Sequence, residues 1–199
     1  MVQVEAPIDV ESLSRVHELN YIDAFRTGQL DEKLMKRIGF PWSQQFVNRT
    51  LTAVSGTVKA ARLSLENGIA INLSGGYHHA HPNFGSGFCV FNDLVIAAET
   101  LLAESLVHRV LIFDCDVHQG DGTAVCAGQS PDIFTLSVHC EKNFPARKQH
   151  SDHDVGLAKH TEDQAYLQEV AASLDAAINS FKPDFILYDA GVDIHVGDD

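Results

Sequence analysis

Two short runs in this chain, Val110-Leu111-Ile112-Phe113 and Phe185-Ile186-Leu187-Tyr188, are apolar or aromatic at every position. A strand covered on one face alternates apolar and polar residues, so continuous runs imply strands covered on both faces. Ile69-Ala70-Ile71-Asn72-Leu73, ending in Gly75-Gly76, and residues 132–138 read as two further strands. Between them lie helical patterns. Residues 8–27 carry Val10, Leu13, Val16, Leu19 and Ile22 at a spacing of three to four, with Gly28 as a stop. A second helix is expected over 43–66, closed by Asn67-Gly68. Asn92 or Asp93 caps a third, running to about Leu106, and Thr161 with Gln164 makes a capping box for a fourth, to about Ser180. Apolar strands alternating with helices predict one α/β domain over 1–199, in which helices sandwich a mostly parallel sheet as three layers, α/β/α. Ligands of such sheets bind beyond the carboxyl ends of the strands.

Composition narrows the function. A net charge of −13 opposes binding to a phosphate backbone and suits a cationic ligand better. No apolar run approaches the ~18 residues of a membrane span, and the start of the chain, acidic with no basic residue, does not read as a signal peptide. Cys89, Cys115, Cys126 and Cys140 lack Cys-x-x-Cys spacing, which argues for free, reduced thiols in a cytoplasmic protein rather than a zinc finger.

The chemistry concentrates at three strand ends. After the strand at 110–113 comes Asp114-Cys115-Asp116-Val117-His118-Gln119-Gly120-Asp121. In extended chain, residues two apart share a face, so Asp114, Asp116 and His118 point together. Two carboxylates and an imidazole on one face repel and resist desolvation unless a cation joins them. Asp193, after the strand at 185–188, supplies another carboxylate at the same rim. Asp116, His118 and Asp193 together form a three-ligand set with an open position, as catalytic zinc requires. The third cluster, Gly75-Gly76-Tyr77-His78-His79-Ala80-His81-Pro82, holds adjacent histidines that point differently and so have separate roles. His150, Asp152, His153 and Asp154 are better read as a charged surface loop than as a chelate, and His17, His108 and His160 as exposed positions.

Gly-Gly-Tyr-His-His-Ala, then Gly85-Ser86-Gly87-Phe88-Cys89 with Asn92-Asp93, then Asp-x-Asp-x-His-x-Gly-Asp-Gly-Thr over 114–123, then Ala-Gly-Val-Asp ending at Asp193, resemble the histone deacetylase family. That family belongs to the arginase/deacetylase superfamily. His139-Cys-Glu-Lys-Asn-Phe-Pro with Arg147-Lys148 and Ser151-Asp152 is most similar to its class IV-type and related bacterial members.

The resemblance implies a deacylase that hydrolyses an N-acyl, typically acetyl, amide on lysine or a related amine such as a polyamine. Asp116, His118 and Asp193 match the zinc ligands. His79 matches the general base with Asp121 as its carboxylate partner, and His78 with Asp114 matches the auxiliary histidine. A potassium ion is implied at Asp114, the Ser137 hydroxyl, and main-chain oxygens of Asp116, His118 and Val138. Phe88 and Phe144 match the walls of a substrate channel, and Gly87 the glycine whose carbonyl accepts the substrate amide proton. Zinc would polarise the acyl carbonyl and acidify a water while neutral His79 takes the water's proton.

Two features depart from the family pattern. The family carries a transition-state tyrosine (histidine in some branches) well downstream of the third zinc ligand, and an early strand before the first helix. Neither is present, so the domain is expected to be partial at both ends and impaired by itself. The superfamily's last strand lies between those matching 69–74 and 185–190, which leaves both expected without a neighbour. Rival readings are a dimanganese hydrolase, for which bridging carboxylates are too few, and a catalytically impaired acyl-lysine-binding fragment.

Overall fold

The computed structural model describes residues 3–4, 6–128 and 130–198. The chain runs through α1 (Val10–Ser14), α2 (Leu19–Thr27), α3 (Glu32–Ile38), α4 (Gln44–Asn67), α5 (Asp93–Ala103), β1 (Val110–Asp114), α6 (Asp121–Ala127), β2 (Ile133–Cys140), β3 (His153–Leu157), α7 (Asp163–Phe181) and β4 (Phe185–Asp189). The four strands form one sheet in the order β3-β2-β1-β4, every pair parallel.

β1 is buried at all five positions. Its side chains alternate between two cores: Val110 and Ile112 join the cluster built on α2, α4 and α5, whereas Leu111 and Phe113 pack toward Ala177 and Leu174 of α7. Helices thus cover both faces, and the alternation follows from the two-residue period of a strand. Register pairs Asp114 with Ser137 on one side and with Asp189 on the other, so three polar residues meet where the apolar ladder ends.

The helix ends show why the long predicted helices form. The Ser43 hydroxyl accepts from the Phe46 amide at the start of α4, and Gly68, with φ +80°, closes it. Asn92, not Asp93, caps α5, accepting from the Val95 amide. The capping box at Thr161 does not form. Glu162 occupies the cap position of α7 and the Thr161 hydroxyl donates to the Ala158 carbonyl instead. His153 and Asp154, expected in a surface loop, begin strand β3.

Two other departures have physical causes. The helix expected over 8–27 breaks between Ser14 and Leu19 because His17 turns into the core. Its side chain is 3% exposed, contrary to the surface position expected for it. The Asn92 amide donates to His17 Nε2, which leaves Nδ1 protonated to donate to the His81 carbonyl, and the Glu18 amide donates to the Pro82 carbonyl. The strand expected over 69–74 does not form either. Ile69, Ile71 and Leu73 are 77%, 76% and 92% exposed. The Asn72 side chain donates to the Ala53 carbonyl and the Thr57 hydroxyl and accepts from the Ser74 amide, which bends the segment. Among the described residues this segment and the outer edge of β4 have no ladder partner. An apolar run becomes a strand only when another strand satisfies its backbone.

All four cysteines are free, and no described helix is long and apolar enough to cross a membrane.

Burial pushes His17 down to about 4, against the opposing pull of the His81 and Pro82 carbonyls. A histidine held neutral in the fold contributes stability that is present above about 6.5 and is lost as pH falls toward 4, because the unfolded chain then binds the extra proton. Urea midpoints taken between pH 7.5 and 4.5 are expected to fall steeply for the wild type. His17→Gln is expected to begin lower at neutral pH but to fall less over that interval. Parallel pH dependences would show that His17 does not carry the effect.

Candidate metal and catalytic centre

Beyond the carboxyl ends of β1 and β4, Asp116, His118 and Asp193 bring ligand atoms within 4.8 Å of one another. Asp116 Oδ1 stands 2.9 Å and Asp193 Oδ2 3.0 Å from the same atom, His118 Nδ1. Nδ1 carries at most one hydrogen, so it cannot donate fully to both carboxylates. The Asp116 hydrogen bond raises His118, with burial opposing, and burial raises Asp193. One nitrogen and two carboxylate oxygens facing a common point are a donor set suited to zinc. Close chain approach makes the convergence possible: a Cβ on Gly191 would lie 2.4 Å from Asp116 Cα.

The histidine pair lies beside this cluster. His79 Nδ1 donates to Asp121 Oδ1 at 2.7 Å and His78 Nδ1 to Asp114 Oδ2 at 2.7 Å, so each imidazole has its own carboxylate. Their environments drive them apart. Burial lowers His79, and the neighbouring His78 adds to the effect, so that it outweighs the Asp121 contacts. Burial also opposes charge on His78, but Asp114, Asp189 and Asp116 overcome it and push it up to about 10. His79 is thus driven toward the neutral form and His78 toward the charged one, a division set by surroundings rather than by residue type. Asp121 is held down to about 2: burial raises it, and hydrogen bonds from His79 and His81 more than reverse that.

The loop that presents this pair is anchored by Asp93, fully buried at the start of α5. Its carboxylate accepts from the Gly76 and Tyr77 amides and from the Thr57 hydroxyl. Gly76, with φ +88°, leaves room for Asp189, whose Oδ1 would be 2.6 Å from a Cβ there. Asp189 is raised to about 8 by burial and by Asp114, and its Oδ2 has no hydrogen-bond partner among the described residues.

A cavity of about 1110 Å³ joins these parts, lined by His78, His79, Asp116, His118 and Asp193 at one end and by Gly87, Phe88, Phe144 and Arg147 toward the surface. Phe144 meets His79 edge to face, with ring centroids 4.7 Å apart, and Phe88 packs on Phe40 at 5.2 Å. For the expected potassium residues, the structure places Asp114 beside Ser137, with Asp114 Oδ1 accepting from the Asp116 amide and the Ser137 hydroxyl bonded to His139. Val138 is fully buried on β2.

Sequence reasoning missed the roles of Asp93, Asp189, His17 and His81. For His81 the two-residue offset from His79 was an available signal. For Asp93 and Asp189 no local signal exists, because their partners lie elsewhere in the chain.

The parallel sheet, covered on both faces and bearing its polar clusters at the strand ends, defines an α/β/α domain with the arginase/deacetylase fold. Residues 2–199 match the family described as the histone deacetylase domain, and the chain belongs to that family. It is 53% identical over 186 residues to an uncharacterised protein of Picosynechococcus sp. (94% of this chain, 62% of that protein). With the acetoin utilization protein AcuC of Staphylococcus aureus it shares 32% identity over 210 residues (94% and 54%). The crystal structure of an HDAC homologue from Aquifex aeolicus superposes with a TM-score of 0.83 at 25% identity, covering 96% of this chain and 57% of that one. An HDAC homologue complexed with SAHA gives the same score and coverage. The chain thus spans between half and two thirds of the length of these relatives.

Gly87, with φ +51°, has little room for a side chain, since a Cβ would lie 2.7 Å from His79 Cδ2 and 3.3 Å from Phe144 Cε1. Gly87→Ala is expected to cost about 1–2 kcal/mol in backbone strain alone and to lower the melting temperature by roughly 2–8 °C. An unchanged melting temperature would mean that the loop relaxes freely.

Proposed function

We propose that this domain hydrolyses N-acyl amides, chiefly acetyl, on lysine side chains or related amines, with one zinc ion held by Asp116, His118 and Asp193. The observation that carries this reading is the tautomer of His79. Its Nδ1 proton is committed to Asp121, so Nε2 keeps a free lone pair beside the cavity shared with the three ligands. Bound there, zinc would supply Lewis acidity to the acyl carbonyl and to the attacking water. His79 Nε2 takes the water's proton as the carbon–oxygen bond forms, and Asp121 stabilises the resulting imidazolium. His78, already charged, offers a positive neighbour to developing negative charge and a proton to the departing amine. Phe88 and Phe144 flank an aliphatic stem, the Gly87 carbonyl accepts the substrate amide proton, and the chain's net charge of −13 suits a cationic amine rather than a nucleic acid. A potassium ion at Asp114, the Ser137 hydroxyl and the main-chain oxygens of Asp116, His118 and Val138 would offset the carboxylates behind His78; the pairing of Asp114 with Ser137 in register supports it.

Dialysed protein titrated with zinc is expected to take up one equivalent. Asp193→Ala and His118→Ala are each expected to abolish tight uptake, and His79→Ala to leave it intact. Uptake indifferent to Asp193 would remove it from the ligand set.

The family's oxyanion-donating tyrosine lies downstream of the third zinc ligand, and these 199 residues span between half and two thirds of the length of their relatives. The 199-residue chain alone is expected to turn over an acetyl-lysine peptide about 10²–10³-fold more slowly than the chain extended with the corresponding C-terminal part of the Picosynechococcus relative. In the extended protein, His79→Ala should lose roughly 10²–10⁴ in rate with zinc content unchanged. Equal rates for wild type and His79→Ala would assign the base elsewhere.

A further inference from the structure

His81 comes two residues after His79, belongs to neither the ligand set nor the pair, and is nonetheless buried at 7% exposure. Asp121, which orients His79, divides its carboxylate between two imidazoles. Oδ1 accepts from His79 Nδ1 at 2.7 Å, and Oδ2 faces His81 Nε2 at 3.0 Å. A carboxylate oxygen can only accept, so His81 Nε2 carries the hydrogen.

The His81 ring is placed by contacts that do not involve Asp121. Its main-chain amide donates to the Phe84 carbonyl at 2.9 Å, and its own carbonyl accepts from His17 Nδ1 at 3.0 Å. The ring stacks on Phe84 with centroids 4.3 Å apart and planes 22° from parallel. The Arg37 guanidinium also lies against the Phe84 ring, 3.8 Å from its centroid. His17 in turn is fixed by the Asn92 amide donating to its Nε2. The series runs from Asn92, the cap of α5, through His17 and His81 to Asp121 at the first turn of α6, and it ends on His79.

We propose that His81 is a positioning residue: its Nε2–H holds the second oxygen of Asp121, fixes the rotation of that carboxylate, and so keeps the His79 ring with Nδ1 protonated and Nε2 bare toward the cavity. A carboxylate tethered at one oxygen turns about its Cβ–Cγ bond, whereas one held at both presents a fixed acceptor. Partners of this kind, behind the residue that touches substrate, set ring tautomer and orientation. The proposal rests on reading His79 as the base, yet its test needs no turnover.

The test is ¹⁵N–¹H correlation spectroscopy of the histidine rings in the 199-residue chain. In the wild type, His81 is expected as the Nε2–H tautomer and His79 as the Nδ1–H tautomer with a slowly exchanging Nδ1 proton. His81→Phe keeps a ring on Phe84 but removes the donor. It is expected to mix the tautomers of His79 and to speed exchange of its Nδ1 proton roughly tenfold or more. His81→Gln places an amide nitrogen where Nε2 stood and is expected to restore the wild-type pattern. If His81→Phe does not fold, His81→Asn, whose amide is too short to reach Asp121, replaces it with the same expectation. A wild-type His81 with bare Nε2, or a His79 proton unchanged when the donor is removed, would overturn the proposal. The expected ring pattern in a protein that shows no amide hydrolysis even when extended and zinc-loaded would sink the hydrolase reading alone.

Discussion

Burial of β1 on both faces is the constraint on which the site depends. Its five residues are buried between two apolar cores and between β2 and β4, so the strand cannot slide or rotate without exposing one core or the other. The chain beyond Asp114 must therefore emerge at one fixed place, and it carries Asp116, His118 and Asp121 there. β4 is held to β1 in parallel register and delivers Asp189 and Asp193 to the same rim. The rigid ladder meets expensive polar groups at this edge. Helices, by contrast, contribute orientation: Asp93 at the start of α5 holds the glycine loop, and Asp121 at the start of α6 holds His79.

The site separates two chemically similar imidazoles by their surroundings. His78 faces Asp114, Asp189 and Asp116 and is charged. His79 faces Asp121 but also the charge of His78, and it is neutral. Their rings lie only 4.0 Å apart, so a proton on one disfavours a proton on the other. The carboxylates beside His78 include Asp116, which also belongs to the cluster with His118 and Asp193, so that cluster and the histidine pair form one electrostatic unit.

Much of this was legible in the residues. The two continuous apolar runs became β1 and β4, the helix over 43–66 appeared as Gln44–Asn67, and Asp116, His118 and Asp193 converged although Asp193 is distant in sequence. The helix over 8–27 misled because its spacing ignored the cost of leaving His17 outside. The pull came from the His81 carbonyl and the Asn92 amide, which lie more than sixty residues away. The segment 69–74 misled for the opposite reason. Its pattern has the character of a buried strand, but a strand exists only in a ladder, and among the described residues no partner reaches it.

By itself the sequence determined which residue types stand together at each strand end, since the two-residue period of extended chain and the apolar runs before it leave few alternatives. It also determined the family, since four motifs in fixed order constrain jointly what none constrains alone. Only the tertiary structure decided which atom faces which: that one nitrogen of His118 meets two carboxylates, that Asp121 is shared between His79 and His81, and that half-buried Asp189 keeps one inaccessible oxygen without a hydrogen-bond partner among the described residues. The physical reason is that hydrogen bonds and pKa shifts act over a few ångströms of space, while the residues they join are tens of positions apart in the chain.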